Sequence, residues 1–192
     1  MEFFLAVGIG VGLAAVAGLR AYLPLALVGL AARLGFFDLP AAFGFLDDWL
    51  VVGILISLAV VEGVLDKISA LETVVDVVQT PVRMAAGAVL FSAALGAGLA
   101  VGAIPELVAG GLIAGTVSVL KALLRPPANV SAAGVSTRFL SGSEDAVALV
   151  GGVVAVLVPL VSLLFVAFLL YVFYRIRKRR SRKYGGLRIL GD

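Results

Sequence analysis

Apolar positions run almost without a break from Phe3 to Gly18, Trp49 to Leu65, Val82 to Leu99, Glu106 to Leu124 and Ala146 to Tyr174. A helix needs about 20 such residues to cross a bilayer, so the pattern predicts membrane spans. The last run is long enough to continue past the membrane, and Pro159 is placed to kink it. Shorter pieces lie between them. Tyr22 to Leu34 is apolar but only about 20 Å long as a helix, and Ser69 to Thr80 and Val130 to Leu140 are shorter or more polar still. These three are expected to be half-helices, re-entrant hairpins or interfacial helices, because irregular backbone at membrane depth survives only against protein or a water-filled cavity. The expected fold is all-α: a polytopic helical membrane protein of five or six transmembrane helices, the count depending on whether Tyr22–Leu34 crosses. Residues 1–174 form one transmembrane domain on this reading, and 175–192 a separate tail.

One interruption has a period of its own. In "EGVLDKISALETVVDVVQTPVR", the residues Glu62, Asp66, Ser69, Thr73, Asp76, Thr80 and Arg83 fall 4, 3, 4, 3, 4 and 3 apart. That is helical spacing, so wherever the segment is helical it carries a polar stripe, with Leu65, Ile68, Leu71, Val75 and Val78 facing elsewhere.

Composition agrees with the pattern. The chain is 62% hydrophobic and 14% charged, whereas soluble domains lie near half apolar and a quarter charged. Cysteine and histidine are both absent. That excludes disulfides, thiol nucleophiles, histidine general bases and most zinc and haem sites. No cofactor and no metal site is expected. The basic run "RIRKRRSRK", Arg175 to Lys183, follows the last apolar run and by the positive-inside rule marks a cytoplasmic C-terminus rather than a nucleic-acid arm. At the other end, "AVA" at Ala15 to Ala17 imitates a signal-peptide cleavage site, but Glu2 stands where a basic n-region belongs; a retained membrane helix is expected.

"GLAAVAGLRAYLP" (Gly12 to Pro24) resembles "GTVSVLKALLRPP" (Gly115 to Pro127): small residues, a base, then proline. Each precedes a short segment and a helix opened by acids, Asp47-Asp48 in one case and Glu144-Asp145 in the other, which suit the positive end of a helix. Repeat halves of 1–100 and 101–174 follow, inverted if three spans separate the copies and parallel if four do. Gly8-x-x-x-Gly12, Gly98-x-x-x-Gly102 and Gly111-x-x-x-Gly115 are candidates for close helix approach.

Three stretches, "GLRAYLPL", "DKISALETVVDVVQTPVRMAAGA" and "NVS…STRFLSGSEDAVAL", resemble the prokaryotic integral-membrane family called domain of unknown function four-one-two-six. The Asp-Lys pair with its downstream Asp is the most specific part. In the third stretch "AAG" at Ala132 to Gly134 replaces the proline- and acid-containing sequence that the resemblance implies. The family implies the cytoplasmic membrane of a prokaryote as the location and supplies no activity.

Function is therefore read from the charges. Ionisable residues at membrane depth are costly and usually face a cavity or one another. Glu62, Asp66 and Lys67 by themselves fit a solvated helix end, but Asp76 and Arg83 on the same stripe favour a polar cavity. Arg20, between apolar segments and beside Pro24, suits either an acid partner or an interfacial anchor. Lys121 and Arg125 share a helical face and, with Asn129, suit a lipid phosphate or small anion. Glu144 and Asp145 complete the candidate cavity set. Ser118-x-x-Lys121 matches a hydrolase spacing, though the signal is short. The expected function is a small transporter or flippase-like carrier for a small ion, an anionic or zwitterionic solute, or a lipid headgroup, with membrane lipids as partners, a homodimer as the candidate assembly, and no nucleic acid. A non-catalytic scaffold is the alternative, and an intramembrane hydrolase the third reading.

Overall fold

The computed structural model describes residues 2–65, 72–98, 101–124 and 146–155, together with isolated helical positions at 164, 167, 168, 171 and 175; within α4 the side chains are described from 78 onward. Among these residues the secondary structure is helical throughout, with no strand. Helix α1 spans Glu2–Leu19, α2 Tyr22–Arg33, α3 Trp49–Leu65, α4 Glu72–Ala94, α5 Ile104–Leu124 and α6 Ala146–Ala155. Short 3-10 turns occupy Ala41–Asp47 and Val101–Ala103.

The chain reverses at most of these junctions. Arg20 and Ala21 alone separate α1 from α2, and α2 folds back along α1, since Val28 joins Leu13 in one buried cluster. Pro24 falls in the first turn of α2, where its missing N–H costs no intrahelical bond. The helix ends in a Schellman motif: Gly35 takes φ +79°, its N–H reaches Ala32 O and that of Phe36 reaches Ala31 O. A second motif of the same kind, around Gly96 at φ +69°, ends α4. Asp48 caps α3 by accepting the Leu50 N–H at 2.7 Å, so one of the acids expected at a helix start does occupy it.

Helices α1, α4 and α5 pack side by side. Glycine sets the α4–α5 distance: a Cβ built on Gly87 would meet Ala114 Cβ and Gly110 O, and one on Gly110 would meet Gly87 O. Of the three glycine motifs singled out in the sequence, Gly115 packs against Met84, whereas Gly102 faces open space. Gly10 lies against Phe91, and Gly18 against Ala114 and Val117, so α4 runs antiparallel to both α1 and α5. Helices α1 and α5 therefore point the same way. The parts of the similar stretches Gly12–Pro24 and Gly115–Pro127 that lie in α1 and α5 therefore run in the same direction. Helix α6 runs down α1, with Val147 near Ala15, Leu19 and Val117 and Gly152 against Leu27 and Val16.

The stretch Ser69–Thr80, expected as a half-helix of its own, is over residues 72–80 the first part of α4. Pro81 sits inside that helix, on an exposed face. A proline removes one backbone bond and weakens the ladder locally, but here it does not end the helix. Val130–Leu140 and the run beyond Ala155 up to Tyr174 lie outside the described residues, apart from the isolated positions.

The exterior of this bundle is apolar. Leu50, Ile54, Leu58, Val61 and Val64 of α3 are exposed, as are Ile104, Val108, Leu112 and Val119 of α5. Among the described residues one stretch, Ile104–Ala122, is by itself long and apolar enough to cross a membrane; the turn Ala41–Asp47 and α3 reach that length only together, with a 67° bend between them, as a broken span or a re-entrant loop would.

Candidate functional site

The turn between α1 and α2 leaves backbone groups unsatisfied on both sides. The last carbonyls of α1 have no helical donor, and the first amides of α2 have no helical acceptor. No local side chain caps α2, whose preceding residue is Ala21. Distant side chains do this instead. The Glu62 carboxylate, from near the end of α3, accepts the Ala21 N–H on Oε1 at 3.3 Å and the Tyr22 N–H on Oε2 at 3.5 Å. From α5, Ser118 donates its hydroxyl to Gly18 O at 2.8 Å, and Lys121 donates from Nζ to Leu19 O at 3.1 Å.

The charges match the helix ends they meet. A carboxylate lies at the positive N-terminus of α2, and an ammonium at the negative C-terminus of α1. Arg83, from the middle of α4, closes the group. Its Nη2 is 3.5 Å from Glu62 Oε1 and donates to Gln79 Oε1, one turn back, at 2.8 Å. Arg20 lies in the turn itself with its guanidinium over α3: a Cβ on Gly63 would stand 3.3 Å from Arg20 Nη1. These four ionisable residues are nearly inaccessible, at 2% for Arg20, 1% for Glu62, 1% for Arg83 and 3% for Lys121. Burying an ion costs on the order of several kcal/mol even after relaxation, so such a group holds only through bonds of this kind.

Four of the expected site residues, Arg20, Glu62, Arg83 and Lys121, thus converge from the α1–α2 turn and from α3, α4 and α5. Asp66, Lys67, Arg125, Asn129, Glu144 and Asp145 lie outside the described residues, and Asp76 lies on α4 with its side chain outside them. The polar stripe is not one continuous helix. Were it so, Glu62 and Arg83 would stand about 30 Å apart, and they touch across α3 and α4 instead.

Ser118 and Lys121 are neighbours on α5, as their spacing predicts, and both donate to carbonyls at the end of α1. Gln79 was not singled out in the sequence. Its only signal was its position one turn before Arg83. Among the described residues no group of three or more acids is placed to hold a metal ion.

The cluster lies at the α1–α2 turn, beside the last residues of α1, α3 and α5. Counted at about 1.5 Å per residue, it is about 17 Å from Arg33 along α2, about 20 Å from Trp49 along α3 and about 17 Å from Ala94 along α4.

A family model described as "Domain of unknown function (DUF4126)" matches residues 7–179. No curated protein and no solved structure matches the chain.

Proposed function

The chain belongs to the family described as domain of unknown function DUF4126, and for it we propose a small polytopic membrane carrier whose working site is the charged cluster at the α1–α2 turn. The observation that carries this is the inversion of polarity. Arg20, Glu62, Arg83 and Lys121 are buried while Leu50, Ile54, Ile104, Val108 and Leu112 face outward. An apolar exterior suits lipid, and ions at that depth mark pathways and binding sites more often than they mark packing. With the Arg33–Trp49 end at a membrane surface, a distance of about 17 to 20 Å falls within a hydrocarbon core about 30 Å thick, which supports this reading. Helix ends turned inward at such depth, with matching charges, are the arrangement by which discontinuous helices of secondary transporters hold small ions and anionic groups. Glu62 is the group that can take up a proton or a cation, and Arg20, Arg83 and Lys121 those that attract an anion or a lipid headgroup. The basic composition of Arg175 to Lys183 supports a cytoplasmic C-terminus for such a carrier by the positive-inside rule.

A second reading has its own support. Glu62, Lys121 and Ser118 each hold backbone at a helix end, which is also what a passive lock for a membrane scaffold would do. Water separates the two readings. The chain has no cysteine, so Ser118→Cys and Ala14→Cys each place one thiol at a known point of the bundle, the second at a fully buried position outside the cluster. A carrier must admit water to its site in one of its states, so a charged, water-soluble methanethiosulfonate reagent should modify Ser118→Cys in vesicles and leave Ala14→Cys untouched. Protection of both thiols would remove the carrier reading and leave the scaffold.

A further inference from the structure

At the far end of the α1–α2 hairpin from the charged cluster lies a cavity of about 330 Å³. Ile9 and Leu13 of α1, Val28 of α2, and Leu90 and Ala93 of α4 form its walls, and the segment Phe36 to Leu39, which follows the Schellman turn at Gly35, closes it. Asp38 is the one charged residue among those lining it, and it is exposed. Its carboxylate therefore stands at the rim and not in the interior. Arg33, the nearest base along the chain, does not line the cavity, and its guanidinium sits 5.5 Å from the centre of the Trp49 ring.

Size and charge together define the ligand. Small-molecule sites span about 300–1,000 Å³, so this cavity suits one alkyl chain and is small for a two-chain lipid. A carbon-lined cavity favours apolar guests. A single acid at its rim, with no base among the described residues that line it, favours a head that carries an ammonium group and disfavours a purely anionic one. We propose that this cavity binds a single alkyl chain bearing an ammonium group, with the chain among Leu13, Val28 and Leu90 and the ammonium on Asp38. That chemistry has two sources: a free long-chain amine, or an amino-headgroup phospholipid that inserts one of its chains.

The test uses the full chain in detergent, with thermal unfolding followed as decylamine, decanol or decanoate is added. Decylamine should raise the midpoint most and decanoate least. Asp38→Asn should weaken apparent decylamine binding about three- to fivefold, the size of an exposed ion pair, and leave the decanol response unchanged. Ala93→Phe, which places a ring in the cavity, should abolish both responses; should it fail to fold, the Asp38→Asn result decides alone. Decanoate acting as strongly as decylamine, or Asp38→Asn leaving the decylamine shift intact, would overturn the assignment. Native mass spectrometry from nanodiscs then identifies the source. Retention of phosphatidylethanolamine over phosphatidylglycerol, lost in Asp38→Asn, assigns the site to an aminolipid. A decylamine response without lipid retention assigns it to a free amine.

Discussion

Glu62 caps a helix that begins 40 residues before it. Its Oε2 receives the Tyr22 N–H at a sequence separation of 40, while its Oε1 lies 3.5 Å from Arg83 Nη2. One carboxylate thereby holds the start of α2 and the middle of α4 against the end of α3. A short helix without a local cap gains its N-terminal acceptor only once α3 has docked, so the α1–α2 turn and the α3–α4 pair depend on each other.

Removing that carboxylate should be costly in a particular way. Glu62→Leu removes the acceptor of two backbone amides and a carboxylate 3.5 Å from Arg83; breaking a buried pair from one side costs about 3–5 kcal/mol. Unfolding in mixed detergent, followed by circular dichroism, should show a loss of that order. Pairing Glu62→Gln with Arg83→Gln should lose less than the sum of the two single changes. Additive losses would mean that the contact contributes nothing to holding α3 on α4.

The other half of the cap predicts a smaller, graded effect. Ser118→Ala removes one neutral hydrogen bond to Gly18 O, worth about 1 kcal/mol. Lys121→Met keeps the apolar stem and loses the charge-assisted bond to Leu19 O, worth about 1.5–3 kcal/mol. Hydrogen exchange at the amides of Arg20 to Tyr22 should speed up in both variants, more in Lys121→Met. Unchanged exchange in both would show that α5 does not hold the end of α1.

Much of this fold was legible in the sequence, for local reasons. Tyr22–Arg33 and Trp49–Leu65 emerge nearly as their apolar runs predict, because Arg20 and Pro24 mark one break and the acids before Trp49 another. The expected separation of Ser69–Thr80 from Val82–Leu99 does not hold in α4, which runs through Pro81, because the packing that keeps the helix going comes from α1 and α5. The convergence of Arg20, Glu62, Arg83 and Lys121 could be anticipated only as a tendency of ions to gather away from lipid. Which carbonyl Lys121 meets is fixed by a partner 102 residues away, and no local pattern encodes that. Asp38 carried no signal at all. It is a lone acid in a loop, and the cavity beside it exists only once α1, α2 and α4 are assembled.

The α4–α5 contact makes a prediction from sterics alone. A methyl at Gly110 would collide with Gly87 O and crowd Phe91 Cβ. Backbone cannot yield as a flexible side-chain tip does, so Gly110→Ala should destabilise by about 1–3 kcal/mol, as overpacking usually does. Gly102→Ala meets nothing within 4 Å and should be neutral. Thermal midpoints of the two purified variants decide the matter, and equal midpoints would contradict close packing at Gly110.

The end of the bundle that carries Trp49 should lie at a membrane surface. Phe3, Phe4, Phe36, Phe45 and Trp49 are all exposed there, and Arg33 stacks on Trp49 at 5.5 Å. Tryptophan collects where acyl chains meet headgroups, because its ring prefers the apolar side and its N–H needs a polar partner. Arginine beside it can lay its stem on hydrocarbon and keep its charge wet. Trp49 is the single tryptophan of the chain, so its fluorescence reports this place alone. In vesicles of lipids brominated at graded depths, quenching should be strongest for bromines nearest the headgroup and fall toward the chain terminus. Arg33→Ala should shift the emission without moving that depth, since the aromatic ring and its neighbours set the position. Strongest quenching at the chain terminus, or quenching by aqueous acrylamide as efficient as for free tryptophan, would place this end elsewhere and remove the depth assigned to the cluster about 20 Å away along α3.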